Sequence, residues 1–184
     1  MLWLNEPPSW REKDGVLTVT TGEKTDFWRV THYDFIRDNG HFRFDTVAGD
    51  FAAEVTFSGD YRELYDQAGL MLRIDPSNWM KAGIELVAGR KTLSVVATCD
   101  FSDWSTMPLP QEVEGVRIRA SRQGSALRVE WAPEGEADMD LLRLAYLPPS
   151  ASMAVGPMCC SPQRGGFEAR FWNFAMDAAP ELHA

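Results

Sequence analysis

Two short runs, QAGLMLRI (residues 67–74) and WMKAGIEL (residues 79–86), carry Gln67, Arg73, Trp79, Lys81 and Glu85 at odd positions. Side chains along a strand alternate between faces, so these residues share one side. The apolar residues Ala68, Leu70, Leu72, Ile74, Met80, Ala82, Ile84 and Leu86 share the other. An amide, two cations, a carboxylate and an indole on one face suit a sugar or another small polar ligand. Flat rings cover C–H faces, while charged and amide groups bond to hydroxyls. Two more residues are candidates for the same face. Trp28 in DFWRVTH (residues 26–32) shares a side with Asp26 and His32, and is either a groove wall or a core aromatic. Glu54 in DFAAEVTFS (residues 50–58) projects away from an apolar face of Phe51, Ala53, Val55 and Phe57. The candidate ligand-binding set is therefore Trp28, Glu54, Gln67, Arg73, Trp79, Lys81 and Glu85.

The two runs read as a hairpin around the turn IDPSNW, and matching their faces leaves two registers. One sets Arg73 opposite Lys81, a like-charge pair. The other sets Arg73 opposite Trp79, Gly69 opposite Gly83 and Gln67 opposite Glu85, and is the register expected. It offers a guanidinium to an indole, a contact worth about 0.5–1 kcal/mol when exposed, and an amide to a carboxylate. Glycines abreast would leave a shallow dip, either a place where a ligand approaches the backbone or a bend in the sheet.

Other chemistries lack their residues. Glycoside hydrolysis needs two carboxylates across the scissile bond, yet no credible strand carries an E-x-D-x-x-E or E-x-D-x-E pattern. The segment EGEADMD (residues 134–140) is acidic but has no apolar alternation. Glu54 and Glu85, on separate strands, are the carboxylates that remain, with Lys81 able to lower a neighbouring carboxylate pKa. His32 and His41 have no third ligand at a metal spacing, and neither DFSD nor EADMD makes a calcium loop. There is no GxSxG motif, and Cys159 and Cys160 have no His nearby. No cofactor or metal is expected, and catalysis is the less favoured reading.

The elements that must position these residues are all β-patterned. Strands are expected at residues 15–20, 26–32, 41–47, 50–58, 67–74, 79–87, 91–99, 115–122, 126–132, 141–146, 152–159 and 166–176. Gly, Pro, Asp and Asn punctuate them, and no run has a sustained 3.6-residue apolar period. So many strands require two packed sheets or a closed barrel. The segment DFSDWSTMPLP (residues 100–110) reads as a loop that either covers the odd-numbered face or leaves it open. Residues 1–184 read as one domain, frayed from about residue 177.

Bulk properties narrow the partners. The chain has 184 residues, 45% of them hydrophobic, which is enough to bury a sizeable core. A formal net charge of −9 opposes nucleic acid and anionic membrane. No stretch approaches the roughly 18 apolar residues of a membrane span, and the N-terminus has no signal-peptide pattern. Three cysteines, two of them adjacent, suit reduced thiols in the cytoplasm. Cys159 and Cys160 are expected on opposite faces of a strand.

The ordered series TDFW (residues 25–28), QAGLMLRID (67–75), WMKAGIEL (79–86) and SDWS (102–105) resembles the uncharacterised "regulation of enolase" family, with a concanavalin A-like lectin/glucanase fold. The resemblance runs from about residue 3 to about residue 176. It implies a β-sandwich jelly roll of two antiparallel sheets, the larger one curved, with a concave face that binds carbohydrate in related folds. The family positions carried over are Trp28, Gln67, Arg73, Trp79, Lys81 and Glu85. Three readings of function follow: a non-catalytic module for carbohydrate or another small polar ligand, a protein-interaction or structural module, and a glycoside hydrolase or lyase.

Overall fold

In the computed structural model, which describes residues 1–179, strands β1 to β8 are Leu2–Leu4, Ser9–Lys13, Val16–Thr20, Phe27–Arg29, Ile36–Asp38, His41–Ala48, Phe51–Gly59 and Gln67–Asp75. Strands β9 to β16 are Asn78–Val87, Arg90–Cys99, Phe101–Pro108, Val116–Gln123, Ala126–Pro133, Asp140–Tyr146, Ser152–Cys160 and Glu168–Ala178. The described residues contain no helix. Every expected strand forms, the one expected at residues 26–32 only as the three residues of β4 because the chain turns at Val30, and β1, β2, β5 and β11 are additional. The final strand continues through Ala178, and the remainder of the tail expected to fray, from Pro180 onward, lies outside the described residues.

The segment expected to be a loop at residues 100–110 is instead mostly strand β11, paired with β10 from Thr92↔Pro108 to Cys99↔Phe101. The connection is made by Asp100 alone, at φ 61°, a left-handed conformation that Asp tolerates because its short side chain can bond locally.

Two seven-stranded antiparallel sheets run in the orders β1-β6-β15-β8-β9-β10-β11 and β14-β13-β12-β7-β16-β3-β2. Neither sheet is the larger, contrary to the expectation. Alternate residues of each strand meet between the sheets: Leu70, Leu72, Met80, Ala82 and Ile84 from one, and Val55, Phe57, Ile118, Val129 and Phe171 from the other. The core is therefore a sandwich filled from inward-facing positions of both layers.

The sheet containing β8 and β9 is covered a second time. A small hairpin of β4 and β5 lies against its outer face and seals a separate apolar cluster of Phe27, Trp28, Phe42, Met71, Trp79, Val96, Met158 and Cys160. The adjacent thiols divide as expected, Cys159 into the inter-sheet core and Cys160 into this outer cluster.

Hairpin β8–β9 adopts the expected register, with Gln67↔Glu85, Gly69↔Gly83 and Arg73↔Trp79. The odd-numbered face is nevertheless not a surface: Met71, Trp79, Lys81 and Gln67 are 0%, 1%, 4% and 3% exposed. Strand alternation reports which side of a sheet a residue takes. It does not report whether another layer lies on that side.

Candidate functional site

Beside the β4–β5 hairpin, the outer face of the first sheet opens into a pocket of about 300 Å³. Its floor comes from consecutive odd positions of β9 and the strand next to it. Lys81 pairs with Val96 of β10, Gly83 with Ser94 and Glu85 with Thr92. Trp104 of β11 stands opposite Val96, so one row of cross-strand partners carries the site from β9 to the sheet edge.

Lys81 anchors the floor. Its ammonium donates to Gln67 Oε1 (2.6 Å), the Phe27 carbonyl (2.8 Å) and Asp26 Oδ1 (3.2 Å). An ammonium has three protons, and these acceptors use all of them. Burial opposes the charge, but the carboxylates of Asp26 and Glu85 outweigh it and raise the Lys81 pKa above 10.5. Asp26 Oδ1 also accepts from the Phe27 amide (2.8 Å) and Gln67 Nε2 (3.3 Å). Lys81 thus holds the start of β4 to the sheet.

Glu85 is the floor's second carboxylate and is differently placed. Its Oε2 accepts from Ser94 Oγ (2.8 Å), and Ser94 Oγ accepts from the Trp104 indole N–H (2.9 Å). No cation lies within ion-pair distance of it among the described residues. Burial raises its pKa above 4.5, against the opposing pull of Lys81 and the Ser94 hydrogen bond.

Aromatic rings form the walls. Trp28 meets Tyr33 edge-on at 5.6 Å and Trp104 at 6.4 Å, Tyr65 meets Trp104 at 6.2 Å, and Tyr33 stacks on Phe35 at 5.5 Å. The phenols of Tyr33 and Tyr65 share a 3.1 Å hydrogen bond, which, with burial, lifts the Tyr65 pKa to about 12. Trp28 is fixed by its indole bond to the Thr31 carbonyl (3.0 Å). The hairpin tip behind these rings is strained, with Val30, His32 and Asp34 at φ 59°, 67° and 54°. Positive φ is costly for a β-branched residue such as Val30. Lys24 and Arg37 stand at the mouth with Pro162 and Gln163.

Of the sequence candidates, Trp28, Lys81 and Glu85 line this pocket, and Gln67 lies beneath it, bonded to Lys81. Trp79 is buried under Lys81, whose ammonium is 5.9 Å from the indole centroid. Arg73 turns away and makes a bidentate pair with Asp38 of β5 at 2.7 and 2.8 Å. Its guanidinium lies over Phe27 rather than Trp79, because the Asp38 carboxylate draws it to the hairpin. The expected Gln67–Glu85 bond is replaced by Gln67–Lys81 and Glu85–Ser94.

Glu54 belongs to the opposite sheet, where Arg119 holds it at 2.7 Å. Its outward direction was readable from alternation, but not the sheet it points away from. His32 lies exposed at the hairpin tip. The glycine dip is nearly closed, with about 10 Å³ of space beside Gly83.

Asp26, Tyr33, Phe35, Arg37, Tyr65, Ser94 and Trp104 complete the arrangement and were not among the candidates. The even positions Thr92, Ser94 and Val96 of β10, set against apolar Leu93 and Val95, carry a readable signal for Ser94. The short β4–β5 hairpin carries none.

Residues 3–179 match the family described as "Protein of unknown function (DUF1349)". The chain belongs to this family. It is 42% identical over 183 residues to "Regulation of enolase protein 1" of Saccharomyces cerevisiae, covering 98% of this chain and 92% of that one. A crystal structure of a functionally unknown protein from Saccharomyces cerevisiae superposes with a TM-score of 0.93 at 41% identity, over 97% of this chain and 96% of the other. The carbohydrate-binding module CBM66 from Bacillus subtilis superposes with a TM-score of 0.62 at 11% identity, over 96% of this chain and 95% of that one. At that identity the likeness concerns the fold alone. This DUF1349 chain has a concanavalin A-like β-sandwich, as its sequence motifs imply.

Proposed function

We propose that this DUF1349 chain is a non-catalytic binding module for a carbohydrate or another small polar ligand, acting as one domain in the cytoplasm. The observation that carries this reading is the juxtaposition of Glu85 with Trp28, Trp104, Tyr33 and Tyr65 around one opening. A carboxylate at the base accepts from hydroxyls while flat rings cover C–H faces, the division of labour that sugar recognition requires. The fold's likeness to a carbohydrate-binding module is consistent with the reading. Asp26 is held in an ion pair and spent on internal bonds, which favours binding over a two-carboxylate reaction. Calorimetric titration and thermal shift with a panel of neutral and acidic monosaccharides and oligosaccharides test it. Binding that Glu85→Ala abolishes and Glu54→Gln leaves intact supports the module. No binding by any of these sugars, or binding unchanged by Glu85→Ala, defeats it.

A second reading, docking of a protein partner, is favoured by apolar side chains on the edge strands: Phe101 on β11 and Leu144 and Tyr146 on β14 are 62%, 63% and 59% exposed. Light scattering across a concentration series, repeated with Leu144→Lys, tests it for self-association. A mass that stays monomeric throughout removes a second copy as the partner.

A further inference from the structure

The pocket's charges are arranged in two tiers that differ in what already satisfies them. At the floor, Lys81 has three protein acceptors, so its protons are unavailable to a ligand. At the mouth, Lys24 and Arg37 have no carboxylate within ion-pair distance among the described residues, although the chain carries a net charge of −9.

The Arg37 side chain and the Lys24 backbone are held in place. Arg37 pairs across the hairpin with Trp28, so the two side chains share the pocket face, and its guanidinium rests over the Phe35 ring at 5.3 Å. Lys24 sits at φ 56°. Its carbonyl accepts from Asn39 Nδ2 (3.1 Å) and its amide donates to the Arg164 carbonyl (3.4 Å). Asn39 also accepts from the Asp26 amide (3.0 Å), so one side chain ties the Lys24 backbone to the floor.

Two cations without carboxylate partners among the described residues line the mouth of one pocket and give it a locally positive rim in an acidic protein. They would attract an anion against the overall field of the chain, because short-range interactions outweigh screened distant charge. The lower tier selects the opposite character. Glu85 cannot accept a ligand anion beside it, but it accepts from hydroxyls.

We propose that the ligand is an acid-bearing monosaccharide or sugar end-group, with its hydroxyls toward Glu85, a ring face on the aromatic wall and its carboxylate or phosphate between Lys24 and Arg37. This rests on the binding reading above and adds the charge of the ligand to it. The volume of about 300 Å³ lies at the small end of ligand pockets, in keeping with a single sugar unit.

Isothermal titration with glucose, glucuronate, the uncharged methyl ester of glucuronate, and glucose 6-phosphate tests the proposal at low and high salt. Glucuronate or glucose 6-phosphate is expected to bind roughly fivefold or more tighter than its uncharged counterpart, a gain suited to two exposed ion pairs. That preference should shrink at high salt and vanish in the double variant Lys24→Gln/Arg37→Gln. A preference for glucuronate over its ester, without glucose 6-phosphate binding, identifies a carboxylate site. The reverse identifies a phosphate site. Equal affinity for charged and uncharged sugars, or a preference that the double variant retains, overturns this inference while leaving the binding module standing. Absence of binding by all four sugars overturns this inference, and the module falls with it only when the wider panel of oligosaccharides also fails to bind.

Discussion

Gly69 and Gly83 stand directly opposite each other across β8 and β9, so close that a Cβ built on either would lie 2.1 Å from a carbonyl oxygen of the other strand. Both contacts are with backbone, which cannot swing aside as a long side chain can. The glycines are therefore explained by the approach of two strands, and the ligand space lies elsewhere on the same face.

Gly83→Ala is expected to destabilise the fold by about 3 kcal/mol, the upper end of the cost of overpacking. Chemical denaturation of the purified variant measures it. A loss below 0.5 kcal/mol would mean that the strands part easily. The double variant Gly69→Ala/Gly83→Ala should cost less than the sum of its parts, because the first substitution already separates the strands.

Lys81→Met removes the shared partner of Asp26, Gln67 and the Phe27 carbonyl. Breaking a buried pair by deleting one partner costs about 3–5 kcal/mol. The β4–β5 hairpin should loosen before the sandwich does, so hydrogen exchange at Phe27 to Arg37 is the discriminating measurement. Uniform faster exchange across both sheets would show that Lys81 serves the whole fold rather than the hairpin.

The raised pKa of Glu85 means that the folded chain binds this proton more tightly than the unfolded chain. Its stabilising contribution is full below the ordinary value of 4.5 and is lost as pH rises through the folded value. Glu85→Gln lacks that loss. The melting temperature of the glutamine variant minus that of the parent should therefore rise from pH 4 to pH 8. A flat or falling difference would contradict the burial argument.

Trp104→Phe keeps a ring on the wall but removes the indole N–H that donates to Ser94. We expect a stability loss of about 1 kcal/mol, typical of one hydrogen bond, with sugar affinity reduced several-fold as the Ser94–Glu85 bond loses its orientation. Titration and melting on the same preparation separate the two effects.

How far the sequence reaches is shown by Glu85 and Glu54. Period-2 alternation placed both carboxylates on outer faces, and avoiding a like-charge opposition of Arg73 and Lys81 selected the register that puts Gln67 across from Glu85. Alternation is local, however, and says nothing of which sheet a strand joins, so Glu54 fell on the wrong side of the molecule. The hairpin that covers Arg73 and Lys81 was harder still. Its strands have three residues each, too few for a period to show, and its tip holds positive φ at residues other than glycine. Tyr33, Phe35 and Arg37 acquire their place through that tip, and Trp104 acquires its place through a strand whose Ser, Asp and Pro content disguised it as a loop.

Cys159 and Cys160 are neighbours in sequence yet face different layers, and burial raises both thiol pKa values. Each is inert until its own layer opens. The chain therefore carries two internal clocks on one strand: alkylation of Cys160 times the lifting of the hairpin from the sheet, and alkylation of Cys159 times the parting of the sheets. A ligand seated in the pocket would slow the first clock more than the second, so the ratio of the two rates reads out occupancy without any label on the ligand.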